Sequence, residues 1–209
     1  MLIKICGINH EDTLLCCEEN NVDFFGMIFY PKSPRNISIE NASVLQNISE
    51  NLNINGVGVF VNHNINELEK IIKNLKLRFV QLHGVEDEMY VKTIKKIGVK
   101  IIKSISINNT NDLKKIDDYH SVDYYLFDYK PLNGELPGGN SKNFDWNILK
   151  YLEIDKPWFL SGGVNSNNIK QILSDISPFG IDLSSGVEKE LGIKDNRIIN
   201  NFIGKLRNA

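Results

Sequence analysis

The sequence predicts an α/β fold, a (β/α)8 TIM barrel, on three observations. Short apolar runs recur eight times with helix-period segments between them, the runs are continuously apolar instead of alternating, and the pattern is packed into 209 residues. Strands that are apolar on both faces are those of parallel sheets covered by helices. A doubly wound open sheet is the alternative, but it usually stops at about five or six strands and carries its glycine-rich loop after the first; here the glycine pairs come late.

The first run, residues 2–6, ends in Lys4-Ile5-Cys6-Gly7-Ile8, a thiol at a strand exit followed by glycine and a helix start at Asn9. Cys16 and Cys17 fall inside that helix as packing or surface residues. The second run, 22–29, leads into the polar stretch Tyr30-Pro31-Lys32-Ser33-Pro34-Arg35. The third, 56–61, precedes a helix with Asn64 as its cap and Leu68, Ile71, Ile72 and Leu75 on one face. The fourth, 78–82, contains Gln81 and exits at His83-Gly84; the fifth is 100–104. The sixth, 123–127, is followed by Asp128, with Asn143 as a later cap. The seventh, 158–160, exits at Gly162-Gly163 before a helix starting near Asn165 or Ser166, with Ile169, Ile172, Leu173 and Ile176 facing the sheet. The eighth, 180–183, exits at Ser184-Ser185-Gly186, with residues 187–190 expected as one helical turn. Asp195 caps a last helix with the stripe Ile198, Phe202 and Leu206.

With 42% hydrophobic residues the chain can bury one sizeable core, so residues 1–209 are expected as a single domain. Twenty-four basic against 26 acidic residues leave a net charge of -2 without long single-sign runs, which argues against nucleic acid or a membrane as partner and for a small-molecule substrate. No membrane span or basic apolar leader is visible, so a cytoplasmic location is expected, as a monomer or homodimer. Three cysteines, two of them adjacent, suit neither a disulfide framework nor a zinc site.

In such a barrel the active site is built at the C-terminal ends of the strands. Cys6 and Asp128, after strands one and six, then flank the mouth, a base on one side and an acid on the other; this fits proton removal from carbon coupled to proton delivery to oxygen. Gly162-Gly163 and Ser184-Ser185-Gly186, each before a predicted helix start, form a phosphate cradle, because glycines admit an anion close to the backbone and free N–H groups attract it. Arg35 can offer a planar fork to a carboxylate or can be a solvated loop residue. Gln81 joins the polar mouth, and His83 either contacts the ligand or hydrogen-bonds the rim. Lys4 shares the interior phase if Ile3 and Ile5 face the helices, and there it needs an anionic partner.

These residues resemble those of the phosphoribosylanthranilate isomerase family. The resemblance is carried by Lys4-Ile5-Cys6-Gly7-Ile8, Phe29-Tyr30-Pro31-Lys32-Ser33-Pro34-Arg35, Val80-Gln81-Leu82-His83-Gly84, Phe127-Asp128, Gly138-Gly139, Phe144-Asp145-Trp146, Leu160-Ser161-Gly162-Gly163 and the run from Asp182 through Ser184-Ser185-Gly186 to Glu188. It implies a ribulose-phosphate-binding barrel performing an Amadori rearrangement of an aminoaldose phosphate, with neither metal nor organic cofactor. It also implies Asp128 as the acid that opens the ring, Cys6 as the base at C2, Arg35, Gln81 and His83 at the substrate, and Gly138 and Gly139 beside the phosphate with the two late loops.

A free thiol near pKa ~8.5 is only a few per cent ionised at neutral pH, so this chemistry needs a cation or dipole beside Cys6, and it needs Asp128 protonated long enough to donate. The chain departs from the family pattern at Asn140-Ser141-Lys142-Asn143, where a glycine is usual, and at Leu191-Gly192, where Pro-Gly is common. Other phosphosugar barrels would use paired carboxylates or a metal in place of Cys6, and a non-catalytic binding protein could lose the acid and base while keeping the cradle.

Overall fold

A computed structural model describes residues 1–132, 134–135, 138–139 and 142–208. Eight parallel strands close into a barrel in sequence order, each hydrogen-bonded to the next and β8 to β1. They are β1 (Leu2–Cys6), β2 (Phe24–Phe29), β3 (Asn55–Phe60), β4 (Phe79–Leu82), β5 (Lys100–Ile107), β6 (Tyr124–Tyr129), β7 (Trp158–Leu160) and β8 (Gly180–Leu183). All eight expected runs are strands. β5 and β6 run further than the apolar pattern suggested, because their ladder continues to Ile107 opposite Tyr129 and takes Asp128 into the sheet opposite Ser106.

The outer ring holds α1 (Glu11–Glu19), α2 (Ile39–Ser49), α3 (Ile65–Asn74), α4 (Glu88–Lys95), α5 (Ile169–Asp175) and α6 (Asn196–Arg207). Two connections are thinner than a full α-helix: Thr110–Asp118 is a 3-10 helix after β5, and Trp146–Leu149 one 3-10 turn after β6. Asn64 and Asp195 cap as expected, each side chain accepting from two backbone N–H groups. The other expected caps are displaced. His10 precedes α1 without a side-chain bond, Asp145 caps Trp146–Leu149, and α5 starts only at Ile169, because Asn165 turns its side chain onto the N–H of Asn167. Cys16 and Cys17 are buried in α1; in α6 the buried stripe is Ile199, Phe202, Ile203 and Leu206, with Ile198 half-buried at its edge.

One apolar cluster fills the space between strands and helices, and a second lies inside the barrel. The interior is layered, four residues per layer from alternate strands, as the period of two requires. The floor consists of the first residues of the even strands, Phe24, Phe79, Tyr124 and Gly180; Phe24 meets Phe79 edge-on at 5.0 Å, and a Cβ on Gly180 would lie 2.4 Å from the ring of Phe159. Lys4, Val57, Ile102 and Phe159 follow, each paired across the ladder with a floor residue. Two residues further along each strand come Gly26, Gln81, Leu126 and Asp182, then Cys6, Val59, Ser104 and Ser161, then Ile28, His83, Asp128 and Ser184. The lower layers are apolar apart from Lys4, and the upper ones carry the polar groups, so chemistry is confined to one end.

Candidate active site

Two adjoining cavities open at the C-terminal ends of the strands. One is walled by Ile28, Val59 and Val61 and reached by Cys6, Arg35, Gln81, His83, Asp128 and Asp182. The other is lined by the loops after β6, β7 and β8, including Gly138, Gly139, Gly162, Gly163, Ser184, Ser185 and Gly186. The structure thus brings every expected site residue to one mouth.

Cys6 closes β1 beside Gly26, where a Cβ would come within 2.7 Å of its Sγ, so the glycine leaves the thiol its space. Lys4, two residues earlier on the same face, is fully buried and pairs with Asp182 at 2.9 Å, a consequence of the register that sets these residues side by side in β1 and β8. Burial alone would lower the Lys4 pKa, but Asp182 and Cys6 outweigh it and hold the ammonium above its usual value. Burial pushes the Cys6 thiol up, against the pull of the Lys4 and Lys194 cations. Those are the charges the sequence left unnamed, and they reduce the upward shift without reversing it.

Asp128 Oδ1 accepts the N–H of Tyr129 at 2.8 Å, while Oδ2 lies 3.3 Å from His83 Nε2. Gln81 Nε2 is 2.7 Å from His83 Nδ1, so with the amide donating, the ring proton sits on Nε2. Of the two readings of His83, the rim hydrogen bond is present, and the ring also lines the cavity. The loop carrying it is braced by the buried Lys103–Glu86 pair: Lys103 Nζ donates to Gly84 O at 2.7 Å, and Glu86 Oε1 accepts from Asn62 N at 2.7 Å.

Arg35 is not a solvated loop residue; it is 3% exposed and held bidentately by Glu188, at 2.7 Å through Nε and 2.8 Å through Nη2. Gly138 and Gly139 fold back over the mouth. A Cβ on Gly138 would lie 2.8 Å from His83 Nε2, and one on Gly139 would lie 2.4 Å from Arg35 Nη1. The departures at Asn140 and Ser141 lie outside the described residues.

At the second cavity Gly162 and Gly163 both take positive φ, a turn open to glycine at no steric cost. Among the described residues their N–H groups donate to no other backbone or side-chain atom. Two expectations are corrected here. The segment leading into α5 is not the donor, because the N–H groups of Asn165 and Asn167 are taken by the side chains of Asn168 and Asn165; the glycine turn supplies the free N–H groups instead. Residues 187–190 are not a helical turn either. The turn is Ser185–Val187, and the chain then extends as β9 (Glu188–Glu190), paired antiparallel with β10 (Ile193–Lys194), which lets Glu188 reach Arg35. Gly186 lies so close to the neighbouring loop that a Cβ would sit 2.1 Å from Val164 O.

Residue-by-residue reading assigned no role to Asp182, Glu188, Lys194 or Lys142. Asp182 has the interior phase of β8, a signal that was available; Lys142 lines the second cavity and pairs with Glu135.

The sequence pattern of N-(5′-phosphoribosyl)anthranilate isomerase matches residues 3–205. A relative named N-(5′-phosphoribosyl)anthranilate isomerase from Chelativorans sp. (strain BNC1) is 38% identical over 210 residues, covering 99% of this chain and 96% of its own. The crystal structure of phosphoribosyl anthranilate isomerase from Thermotoga maritima is similar with a TM-score of 0.90 and 31% identity over the full length of both chains. A phosphoribosyl anthranilate isomerase in complex with reduced 1-(o-carboxyphenylamino)-1-deoxyribulose 5-phosphate is similar with a TM-score of 0.87 and 30% identity, again over both full lengths. With this coverage, and with the thiol, the carboxyl group and the glycine loops gathered at one barrel mouth, the chain belongs to the N-(5′-phosphoribosyl)anthranilate isomerase family.

Proposed function

We propose that this protein isomerises N-(5-phosphoribosyl)anthranilate to 1-(2-carboxyphenylamino)-1-deoxyribulose 5-phosphate, with Asp128 as general acid and Cys6 as general base. The observation that carries the reading is the placement of Cys6 and Asp128 in adjoining interior layers around one cavity, with the glycine loops next to it. Asp128 gives its proton to the furanose ring oxygen as the C1–O bond breaks, and the anilino nitrogen forms the C1=N bond of a protonated Schiff base. That cation acidifies C2. Cys6 takes the C2 proton, its thiolate favoured by Lys4 and Lys194, and the electron pair moves into C1=C2 to give an enolamine. Loss of the C2 hydroxyl proton and protonation at C1 complete the ketose. Oxidation at C2 balances reduction at C1, so the step as written requires no external electron acceptor.

In this reading Gly138, Gly139, Gly162, Gly163, Ser184, Ser185 and Gly186 hold the phosphate, while Arg35, with Gln81 and His83, orients the anthranilate end. His83 Nε2 stands 3.3 Å from the Asp128 carboxyl group, beside it at the cavity. The reading takes residues 1–209 as one cytoplasmic domain acting as a monomer or homodimer. The test is the fluorescence decay of freshly made phosphoribosylanthranilate with and without the protein. Acceleration of the decay supports the proposal, and an unchanged rate at micromolar protein overturns it.

A further inference from the structure

Glu188 belongs to the hairpin β9–β10, outside the barrel, yet its side chain is 4% exposed. The chain itself occupies roughly all four lone-pair positions of this carboxylate. Oε1 accepts from Arg35 Nε at 2.7 Å and Lys194 Nζ at 2.5 Å, and Oε2 accepts from Arg35 Nη2 at 2.8 Å and Gly192 N at 3.1 Å. Arg35 Nη2 also donates to Gly139 O at 3.2 Å. Nη1 makes no hydrogen bond among the described residues and lies against Gly139 at the cavity wall. Two cations share one carboxylate, a formal net charge of +1 beside the cavity with Lys194 protonated; burial, with the Arg35 charge, holds the Lys194 ammonium below its usual value against the pull of Glu188. The hairpin also meets the Arg35 loop through backbone: a Cβ on Gly192 would lie 2.7 Å from Pro34 O.

We propose that Glu188 and Lys194 are positioning residues that set Arg35 for the substrate's aromatic carboxylate, Glu188 by gripping one edge of the guanidinium and Lys194 by returning the positive charge that Glu188 cancels. The proposal rests on the Arg35 reading above. An arginine on a loop must be ordered before it can hold a carboxylate, and one already gripped through Nε and Nη2 presents its Nη1 donors without that cost. A neutral Arg35–Glu188 pair would attract the carboxylate weakly. The third member, Lys194, makes the site attractive as well as ordered.

The test measures kcat and KM for phosphoribosylanthranilate and for phosphoribosylaniline, the same sugar phosphate without the carboxylate, the latter as an inhibition constant if turnover is slow. The enzymes are wild type, Arg35→Met, Glu188→Gln, Lys194→Met and Lys194→Arg. Glu188→Gln is expected to raise KM for the natural substrate by about tenfold or more, with kcat within about threefold and the aniline analogue within about twofold. Lys194→Met is expected to show the same selectivity in KM, with kcat falling alike for both substrates because the Cys6 thiolate loses one of its two cations, and Lys194→Arg to restore both. Equal rises in KM or inhibition constant for both substrates, with Arg35→Met still selective, would make the hairpin a brace only and overturn the proposal while leaving Arg35 its role. If Arg35→Met is itself unselective, both readings fall. Thermal melts check folding, and if Glu188→Gln does not fold, the two Lys194 variants decide by the same criterion.

Discussion

Gly26→Ala tests how closely the barrel wall sets the position of the reactive thiol. The added Cβ would stand 2.7 Å from Cys6 Sγ and 3.1 Å from Cys6 Cα, where ordinary van der Waals separation begins near 3.4 Å. The sulfur must therefore retreat by at least about 0.7 Å, and since the crowded Cα of Cys6 is a backbone atom, rotation of the side chain alone does not relieve the clash. A reacting group misplaced by about 1 Å can cost about 10²-fold in rate, so kcat is expected to fall between about ten- and a hundredfold. KM should change less than kcat: Ser184 Oγ donates to Cys6 O at 3.3 Å and Arg35 packs against Gly7, so binding feels the backbone shift, but the reacting sulfur moves most. Overpacking of this kind also destabilises by about 1–3 kcal/mol. Gly58→Ala is the control: its Cβ would meet Leu77 Cδ1 and Phe60 Cε2, each at 2.7 Å, on the helix-facing side. It is expected to lower the melting temperature comparably and to leave kcat within about twofold. Steady-state fluorescence kinetics with thermal melts on both variants decide the matter. A Gly26→Ala enzyme with wild-type kcat would refute the argument that this wall sets the position of Cys6.

Cys6→Ala is expected to lower kcat by about 10² to 10⁴-fold while binding of a product analogue survives, measured by single-turnover kinetics and equilibrium titration; a variant retaining more than about a tenth of kcat would remove the base role. Asp128→Asn is expected to be similarly slow, and the wild-type pH profile of kcat/KM to be bell-shaped; an active Asp128→Asn enzyme would move the acid role elsewhere. Glu188 is pulled down by Arg35 and Lys194 to about 2, although its burial acts in the opposite direction. A carboxyl group with a depressed folded-state pKa stabilises above its unfolded value and loses that contribution as the pH falls through the folded one. The melting-temperature gap between wild type and Glu188→Gln should therefore be constant above about pH 5 and shrink as the pH falls toward 2. A gap unchanged down to pH 3 would contradict the depressed value.

Most of the strand plan was legible because parallel barrel strands are apolar on both faces and short, and each of the eight apolar runs is a strand. Boundaries were less so. Asp128 reads as lying past its strand, since a charged residue ends the apolar run, but the ladder to β5 continues under it. The asparagines at 9, 143 and 165 all read as caps, and none serves as the assigned N-cap; Asn165 shows why, because its side chain can satisfy its own turn as readily as a helix start. Nor did residues 188–190 announce a strand, since Glu188-Lys189-Glu190 has no apolar face and pairs only because β10 lies opposite.

By itself the sequence determined the order of the strands, the thiol at the end of the first and the glycine loops after the seventh and eighth. These are local properties, set by short runs apolar on both faces and by the steric freedom of glycine. Only the tertiary structure decided which phases meet. Closing eight strands with a regular stagger places Lys4 beside Asp182 from the other end of the chain, Gly26 against Cys6, and Glu188 across 153 residues onto Arg35. None of these distances has a local signature, because each arises from the register between strands or loops that are remote in sequence. The acidity of the thiol and the charge beside the cavity depend on the charges such closure brings within a few ångströms, and those charges come together only in the folded chain.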